Sequence, residues 1–383
     1  MRSFRVLVAP DKFKGNMTAS QVCECVKTGF LEGMPEAELT LLPMADGGEG
    51  TVDSLTRAGN GTFHKVTVTG PLGGKVEALC GIILSGEGRK TGIMEMASAS
   101  GLALLPPGKR DIFSATTYGT GELIKFLLDE GVEKIVIGIG GSATNDGGAG
   151  CAAALGYRLL DKEGKEIPHG AAGLLKLVSI DCSKADPRIG DVEFCVACDV
   201  TNPLLGQEGA SRVYGPQKGA EEKDIPILEE ALTRLAEVWK KEGMLEDVSL
   251  EGDGAAGGLG AGLRAFCRAE KVSGAKLVMD VLKFEEKVKE SDLVILGEGC
   301  TDSQTESGKI CSEAANIAAK YQKKVILLSG ALRGKREDFA KHFPIAFSTS
   351  TGAHASLEEA IAAGKEDLIF TARNIAELIQ TFR

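Results

Sequence analysis

Runs of apolar, β-branched residues alternate with segments of helical periodicity along most of the chain. This alternation is typical of an α/β protein built on a mainly parallel sheet. In the first part of the chain the pattern predicts strands at residues 4–9 and 39–42 and helices at residues 19–32 and 51–58. Thr18 precedes the first helix as its N-cap, because its hydroxyl can accept a hydrogen bond from an unpaired N–H of the first turn.

The same alternation returns near the C-terminus. It predicts strands at residues 292–297, 324–329 and 345–348 and helices at residues 312–321, 335–342 and 367–382. Two early strands and three late ones make the five-stranded sheet of a flavodoxin-like unit. The simplest fold is therefore α/β, with a flavodoxin-like parallel-sheet domain at residues 1–70 plus 287–383, interrupted by an inserted second α/β domain at residues 71–286.

The inserted segment is less regular than the two ends of the chain. Its pattern predicts strands at residues 66–68, 76–84, 92–96 and 134–139, and helices at residues 121–130 and 224–242. Cys195 and Cys198 lie in another strand-like run. Side chains three positions apart in a strand point to opposite faces, so these two cysteines cannot share a metal ion.

Composition narrows the class of protein. Of the 383 residues, 43% are apolar and 26% are charged, which is ordinary for a soluble globular protein. The net charge of −10 argues against a general nucleic-acid binder, which needs a basic face. No run approaches the ~20 apolar residues that cross a membrane. The ten cysteines are scattered, as expected of reduced thiols, so we expect a cytoplasmic protein without a nucleic-acid or membrane partner.

Charged and glycine-rich loops follow the predicted strands of the first domain. In an open parallel sheet, ligands bind beyond the carboxyl ends of the strands where the strand order reverses, which in the 2-1-3-4-5 order lies between strands 1 and 3. The alternative interpretation is that such loops are simply solvated, but three of them at one point favour a site. The loops are residues 10–15, 44–50 and 297–304, and their candidate residues are Asp11, Lys12, Lys14, Asp46, Glu49, Glu298, Asp302 and Gln304.

These residue types suit phosphoryl transfer. Backbone N–H groups and Lys hold phosphates, Mg²⁺ is carried by one or two carboxylates, and an Asp often accepts the proton of the attacking hydroxyl. The chain has no Walker A motif, since the Gly308-Lys309 pair is not followed by Ser or Thr. We expect Asp46 and Glu49 to bind Mg²⁺, and Lys14 and Lys309 to contact anionic groups of the substrate or nucleotide.

The inserted domain carries two more candidate loops. One follows the strand at residues 134–139, and its small and hydroxyl residues suit phosphate groups of a nucleotide: Gly140, Gly141, Ser142, Thr144 and Asn145. The other, residues 254–262, contains Gly257 and Gly258. Tight helix packing is the alternative interpretation of this second loop.

Two single residues of the inserted domain are further candidates. Asp199 ends the strand that contains Cys195 and Cys198, and a helix or turn cap is the alternative to a catalytic role. Lys218 lies in the turn Gly215-Pro216-Gln217-Lys218-Gly219, where we expect it to be exposed. The four histidines fit no motif.

The motifs resemble those of the bacterial type I glycerate kinases. The matching blocks follow one another along nearly the whole chain: APDKFKG from Ala9, PMADGGEG from Pro43, TYGTGEL from Thr117, IGIGGSATNDGGAG from Ile137, ACDVTNPL from Ala197, YGPQKG from Tyr214, GAAGGLGAG from Gly254 and GEG from Gly297. The resemblance implies two α/β domains, the first flavodoxin-like and interrupted by the second. It also implies ATP as co-substrate, Mg²⁺ as cofactor and D-glycerate as substrate, with 2-phosphoglycerate as the product of many members.

One departure from the family concerns Cys300, where the family usually has Arg or another basic residue. Because the planar fork of Arg can bind a carboxylate with two hydrogen bonds, its loss bears on acid specificity. We assign the role of base to Asp199 or Asp302, and contacts with the substrate to Asp11, Lys12, Glu298 and Gln304. The alternatives are a 3-phosphoglycerate-forming kinase, a kinase for a related hydroxy acid, an oxidoreductase using a flavin or nicotinamide, and a non-catalytic ligand-binding regulator.

Overall fold

The structure, a computed structural model, describes residues 3–44, 50–84, 88–301, 310–333, 335–350, 352, 354 and 356–383. The strands are β1 (Arg5–Pro10), β2 (Glu38–Leu41), β3 (Thr62–Thr69), β4 (Lys75–Leu84), β5 (Lys90–Glu95), β6 (Lys134–Gly138), β7 (Arg158–Leu160), β8 (Ser179–Asp181), β9 (Glu193–Ala197), β10 (Glu270–Val272), β11 (Leu293–Glu298), β12 (Lys324–Ser329) and β13 (Ala346–Ser348).

The α-helices alternate with these strands in the order that an α/β protein requires. They are α1 (Ala19–Gly33), α2 (Thr51–Ala58), α3 (Ala97–Ser100), α4 (Tyr118–Asp129), α5 (Ala149–Ala154), α6 (Ala171–Leu174), α7 (Ala210–Tyr214), α8 (Ile225–Lys241), α9 (Ala255–Cys267), α10 (Gly274–Val281), α11 (Phe284–Glu290), α12 (Ile310–Lys320) and α13 (Leu357–Thr381). Among the described residues, no helix is both long and apolar enough to cross a membrane.

The chain divides into two compact units. Unit 1 comprises Met1–Asp46, Asp53–Ala58 and Ala275–Arg383, and unit 2 comprises Gly47–Val52 and Gly59–Gly274. Unit 1 is therefore built from both ends of the chain, and unit 2 from its middle. The domain bounds that we derived from the sequence, near residues 70 and 287, stay a prediction.

Unit 1 is built on a parallel sheet. In its described part the strand order is β13-β12-β11-β1-β2, which is the 2-1-3-4-5 order of a flavodoxin-like fold when the strands are numbered within the unit. Every residue of β11, the central strand, is buried. A strand that is covered on both faces appears in the sequence as a continuous apolar run, which explains why β11 could be predicted from the hydrophobic pattern alone. The predicted α/β fold class is confirmed.

Helices α1 and α13 pack closely against each other on one face of this sheet. Gly29 and Gly33 of α1 make that approach possible, because a Cβ added at Gly29 would lie 2.1 Å from the carbonyl oxygen of Ile369. The predicted N-cap at Thr18 is confirmed: its side chain accepts a hydrogen bond from the N–H of Gln21, whose side chain in turn accepts one from the N–H of Thr18.

Two predicted helices near the C-terminus differ from the structure. Helix α13 begins at Leu357, ten residues before the predicted start at residue 367, and its first turns are largely exposed. Between residues 335 and 342 a single 3₁₀ turn, Arg336–Asp338, replaces the predicted α-helix. Pro344 follows closely, and a residue before proline is disfavoured in the helical conformation.

Unit 2 is built on a mixed sheet. Over the described residues its order is β10-β9-β6-β5-β4-β3, in which β10, β9, β6 and β5 are parallel and β4 and β3 form an antiparallel edge. Helix α8, predicted as amphipathic, buries the whole of Trp239 and Leu235 against the core of the unit. The parallel strands end at one edge of the sheet, and the glycine-rich segment that follows β6 begins at this edge.

Candidate active site

The segment after β6, residues 139–148, is called the glycine loop below. Its first half lies alongside the turn that follows α3: the N–H of Leu102 donates to the carbonyl of Gly141 at 2.8 Å, and the N–H of Ala143 donates to the carbonyl of Ser100 at 3.0 Å. Its second half leads directly into α5. Both ends of the loop are therefore held by the backbone, whereas Gly140 and Gly141 are exposed.

Asp146 orders the second half of the glycine loop. Its fully buried carboxylate accepts hydrogen bonds from the N–H and hydroxyl of Thr117, at 2.8 and 2.9 Å, and from the N–H groups of Gly148 and Gly150, both at 3.2 Å. Burial raises the pKa of Asp146 above its ordinary value, while these donors act in the opposite direction. Within this structure Asp146 holds the backbone and does not face solvent.

Residues 254–262 pack against the glycine loop. Ala256, Gly257 and Gly258 have left-handed backbone conformations, with φ of 54°, 68° and 89°. A Cβ added at Gly257 would lie 1.9 Å from the carbonyl oxygen of Thr144, and the N–H of Gly147 donates to the carbonyl of Gly257 at 3.0 Å. The described contacts of Gly257 thus match the packing interpretation of this segment, and its predicted contact with nucleotide stays a prediction.

Lys218 was expected to be exposed, and this expectation is wrong. The side chain is only 2% exposed, and Nζ donates a hydrogen bond to the carbonyl oxygen of Thr144 at 2.7 Å. Burial lowers the pKa of Lys218 to about 7, against the opposing effect of the negative charge on Asp146. The turn Pro216–Lys218 gave no sign of this in the sequence, because the partner lies 74 positions away along the chain.

The side chains of the glycine loop that we predicted to bind nucleotide point mostly into the protein. Ser142, Thr144 and Asn145 are all buried. Nδ2 of Asn145 donates to the hydroxyl of Ser211 at 3.0 Å. Among the described residues, Oδ1 of Asn145 and Oγ1 of Thr144 have no hydrogen-bond partner. The surface that a phosphate could reach is therefore the backbone at Gly140 and Gly141.

Two carboxylates lie at the ends of strands that neighbour β6. Asp199 follows β9, which pairs with β6 through Ala197 and Gly138, and it is exposed. One of its carboxylate oxygens accepts a hydrogen bond from the N–H of Gly274 at 3.0 Å, so the cap that we considered as an alternative role is present. Glu95, which the sequence did not single out, ends β5. Its Oε1 accepts hydrogen bonds from the N–H groups of Gly50 and Val52, both at 3.0 Å.

The loops after β1 and β11 lie side by side in unit 1. The N–H of Asp11 donates to the carbonyl of Gly297 at 2.8 Å, and the carboxylate of Asp11 accepts from the N–H of Lys12 at 2.7 Å. A Cβ added at Gly299 would lie 3.0 Å from the backbone nitrogen of Lys14. Asp11, Lys12 and Lys14 therefore share the sheet edge with the segment that follows β11, and the side chain of Lys14 is exposed.

Glu298 lies at the end of β11 and is largely buried, with 7% of its surface exposed. Its Oε1 accepts a hydrogen bond from the hydroxyl of Thr301 at 2.7 Å, and that hydroxyl lies 2.9 Å from the hydroxyl of Ser329 at the end of β12. The negative charges of Glu298 and Asp11 both raise the pKa of the buried Cys311 thiol, after the larger effect of its burial. The two carboxylates thus lie close to the same thiol.

Several predicted site residues lie outside the described residues: Asp46, Glu49, Asp302, Gln304 and Lys309. In the part of the chain that the structure describes, no group of three or more His, Cys, Asp and Glu side chains is placed to hold a metal ion. The chain on the N-terminal side of residues 45–49 is held at the sheet edge, because the N–H of Met44 donates to the carbonyl of Pro10 at 2.9 Å.

Comparison with known proteins identifies close relatives of the whole chain. Residues 6–380 match the model of the glycerate kinase family. The chain is 48% identical over 371 residues to the glycerate kinase of Halalkalibacterium halodurans and 46% identical over 373 residues to the glycerate 2-kinase of Escherichia coli K12, with 97% of each chain covered in both cases. A crystal structure from Salmonella typhimurium LT2, provisionally assigned as glycerate kinase 2, matches with a TM-score of 0.90 at 46% identity over 99% of both chains.

Proposed function

The chain belongs to the glycerate kinase family and is therefore an enzyme, and we propose that it transfers the γ-phosphoryl group of ATP to D-glycerate. The observation that carries this proposal is the match to glycerate kinases over 97% of this chain and 97% of each relative. Each unit by itself supports the proposal: unit 2 exposes the backbone of Gly140 and Gly141, and unit 1 carries lysines and carboxylates at its sheet edge.

We assign the phosphates of ATP to the glycine loop. Gly140 and Gly141 lack side chains, so a phosphate can approach their backbone closely, and φ of 75° at Gly141 is a conformation that favours glycine. The buried members Ser142, Thr144 and Asn145 then act by shaping the loop. Gly257 and Gly258 pack closely against the same loop and support its backbone.

Contacts with glycerate are assigned to the edge of unit 1. Lys12, Lys14 and, further along the chain, Lys309 offer ammonium groups for its carboxylate, and the side-chain amide of Gln304 offers an N–H donor. Asp11 and Glu298 can accept hydrogen bonds from its hydroxyls. Because Cys300 has no guanidinium group, we assign binding of the glycerate carboxylate to the lysines of this chain.

Unit 1 has carboxylate oxygens of the kind that a hard divalent cation prefers, since Asp11 and Glu298 lie close to Cys311. In the sequence, Asp46 and Glu49 are two further carboxylates within a glycine-rich segment. Mg²⁺ bound together with ATP needs one or two such groups, and we assign it to Asp46 and Glu49. When bound, the ion neutralises charge on the phosphate oxygens.

The proton of the attacking hydroxyl goes to an aspartate in this proposal. Asp199 and Asp302 are the two candidates, and of these Asp199 is exposed at the end of β9 while one of its oxygens accepts a hydrogen bond from the N–H of Gly274.

We assign the protein to the cytoplasm, in keeping with its ten free cysteines, all of which lie in the described part of the chain.

We propose the 2-hydroxyl as the acceptor, so that the products are 2-phosphoglycerate and ADP. Support comes from the Escherichia coli relative, which carries the name glycerate 2-kinase. Phosphorus NMR of the product tests this assignment. A phosphate on the secondary carbon couples to one proton and gives a doublet, whereas a phosphate on the primary carbon couples to two and gives a triplet.

Two acceptor analogues provide the control. Lactate retains only the 2-hydroxyl, and 3-hydroxypropionate retains only the 3-hydroxyl. Slow turnover of lactate with none of 3-hydroxypropionate supports the 2-kinase. A triplet from glycerate contradicts the 2-kinase assignment, and absence of ATP-dependent turnover with glycerate contradicts the proposed activity itself.

A further inference from the structure

We propose that Lys218 is a positioning residue for phosphoryl transfer: from inside unit 2, its ammonium holds the backbone of the glycine loop at Thr144, so that the exposed amides of Gly140 and Gly141 face the phosphates in one fixed geometry. This inference rests on the proposed function, because it takes the glycine loop as the site of the ATP phosphates. It adds a role for a side chain that never touches the reacting atoms.

The first support is the hydrogen bond itself. Nζ of Lys218 lies 2.7 Å from the carbonyl oxygen of Thr144, and the side chain is 2% exposed. A short, buried bond from an ammonium to a carbonyl is stronger and more directional than a solvated one. The same carbonyl faces Gly257 on another side, where an added Cβ would lie 1.9 Å away. The carbonyl of Thr144 thus has little freedom to move.

The second support is that one segment of the chain binds two successive residues of the loop. Lys218 binds the carbonyl of Thr144, and Ser211, seven residues earlier in α7, accepts a hydrogen bond from Nδ2 of Asn145 at 3.0 Å. The segment is itself ordered, since the N–H of Lys218 donates to the carbonyl of Gly215 at 2.9 Å. Two anchors from one segment fix both the position and the orientation of the loop.

The third support is the chemistry of the buried group. Methionine has nearly the volume of lysine and would fill the same space without taking a charge out of water, which carries a large penalty. Asp146, the negative charge that acts on Lys218, already accepts four hydrogen bonds from Thr117, Gly148 and Gly150. A buried ammonium is thus more than packing requires, and positions that depart from the most stable choice are expected at functional sites.

The test compares Lys218→Met with Lys223→Met, a matched control in which the lysine is 75% exposed. All assays are run at pH 6, because the pKa of Lys218 is about 7 and its amino group carries a charge only below that pH. We expect Lys218→Met to keep the circular dichroism spectrum and cooperative unfolding of the parent enzyme while kcat with ATP and D-glycerate falls by about a hundredfold, because small displacements of a positioned group have effects of that size. We expect KM for glycerate to change by less than about threefold. Lys223→Met should match the parent enzyme.

A second variant separates charge from packing and also serves if Lys218→Met does not fold. Lys218→Ala leaves a cavity with the shape of propylammonium, so this amine should restore turnover by about tenfold or more. The alcohol 1-propanol, of equal length but without charge, should not restore it, and propylammonium should not activate Lys218→Met, whose side chain fills the cavity. Equal rescue by amine and alcohol, or no rescue by either, overturns the proposal.

The parent enzyme, assayed in parallel, separates the two hypotheses. If it phosphorylates glycerate and folded Lys218→Met retains kcat within about threefold, positioning by Lys218 is wrong and the proposed function stands. If the parent enzyme does not phosphorylate glycerate with ATP, the proposed function is wrong, and the positioning role falls with it.

Discussion

Thr117 binds Asp146 twice, through its N–H at 2.8 Å and its hydroxyl at 2.9 Å, although the two residues lie 29 positions apart. The same hydroxyl accepts a hydrogen bond from the N–H of Cys151 at 2.9 Å. One threonine side chain thus connects the glycine loop with the start of α5. The order of this region depends on polar groups that water cannot reach, so removing one of them is costly.

Thr117→Val tests this connection. The substitution keeps the shape of the side chain but leaves the N–H of Cys151 without its acceptor and Asp146 without one donor, so we expect the free energy of unfolding to fall by about 2–4 kcal/mol. Urea unfolding measures it. Thr67→Val, which removes an exposed hydroxyl bound to Glu77, should cost no more than ~0.5 kcal/mol, and equal losses in the two variants would contradict the argument.

Stability should rise with pH above neutrality because of Lys218. Its pKa is about 7 in the folded protein against an ordinary value of 10.5, so over this window the unfolded chain binds more protons than the folded one and the free energy of unfolding increases with pH. Between pH 7 and 8.5 the gain is about 1–2 kcal/mol for one such group. Buried cysteines with raised pKa act in the opposite direction above this range, as Cys80 does with a pKa of about 12.

Urea titrations of the parent enzyme and of Lys218→Met at several pH values isolate this contribution. The difference in unfolding free energy between the two proteins should change with pH, whereas Lys223→Met should follow the parent enzyme throughout. A pH-independent difference would show that Lys218 carries the same charge in the folded and unfolded states.

Gly257→Ala and Gly243→Ala form a matched pair, since the two glycines have φ of 68° and 67°. A Cβ at position 257 would meet the carbonyl oxygen of Thr144 at 1.9 Å, while one at position 243 would meet nothing within 4 Å. Gly243→Ala should therefore cost only the backbone strain, about 1–2 kcal/mol. Gly257→Ala should lower the melting temperature much further and raise KM for ATP, and identical melting temperatures would show that close packing at residue 257 is unimportant.

Glu298→Gln tests the assignment of the sheet edge of unit 1 to the substrate. Glutamine keeps an acceptor for the hydroxyl of Thr301 but removes the negative charge, so the fold should persist while KM for glycerate rises about tenfold, as expected for a lost charged hydrogen bond. Steady-state kinetics at saturating ATP give the value. Glu246→Gln, at an exposed position, is the control. An unchanged KM with lower thermal stability would make Glu298 a purely structural residue.

Arg264→Met should destabilise the enzyme strongly. The guanidinium donates to both carboxylate oxygens of Asp253, at 2.6 and 2.7 Å, and Asp253 is 1% exposed, so the substitution leaves a buried carboxylate without its countercharge. A loss of about 3–5 kcal/mol is expected in denaturant unfolding. Lys165→Met breaks an ion pair with Glu163 that is open to solvent and should cost less than ~1 kcal/mol; a similar loss in both variants would argue against the role of burial.

Local features of the fold could be predicted from the sequence alone. Strand β12 has the predicted bounds of residues 324 and 329, helix α2 has the predicted bounds of residues 51 and 58, and Thr18 caps α1 as expected. Each of these depends on residues within a few positions of one another: the apolar period decides which face is buried, and a cap is made within one turn. The number of strands on either side of the insertion indicated a five-stranded flavodoxin-like sheet, and the order common to such sheets agrees with the order in the structure.

Burial of single polar residues depended on the tertiary structure. Lys218 lies in a turn with glycine and proline, where a lysine is ordinarily solvated, but in the structure it is buried and bound to the carbonyl of Thr144, 74 positions away. From the sequence, Gly257 could belong to a ligand-binding loop or to a packing contact. The structure shows a packing contact, because the carbonyl of Thr144 lies beside it. Glu95 carries no motif, and its part in holding residues 50 and 52 comes from β5 ending near them. A local sequence pattern reflects the conformational preferences of neighbouring residues. Desolvation and long-range hydrogen bonds arise only when segments that are distant in the sequence come into contact.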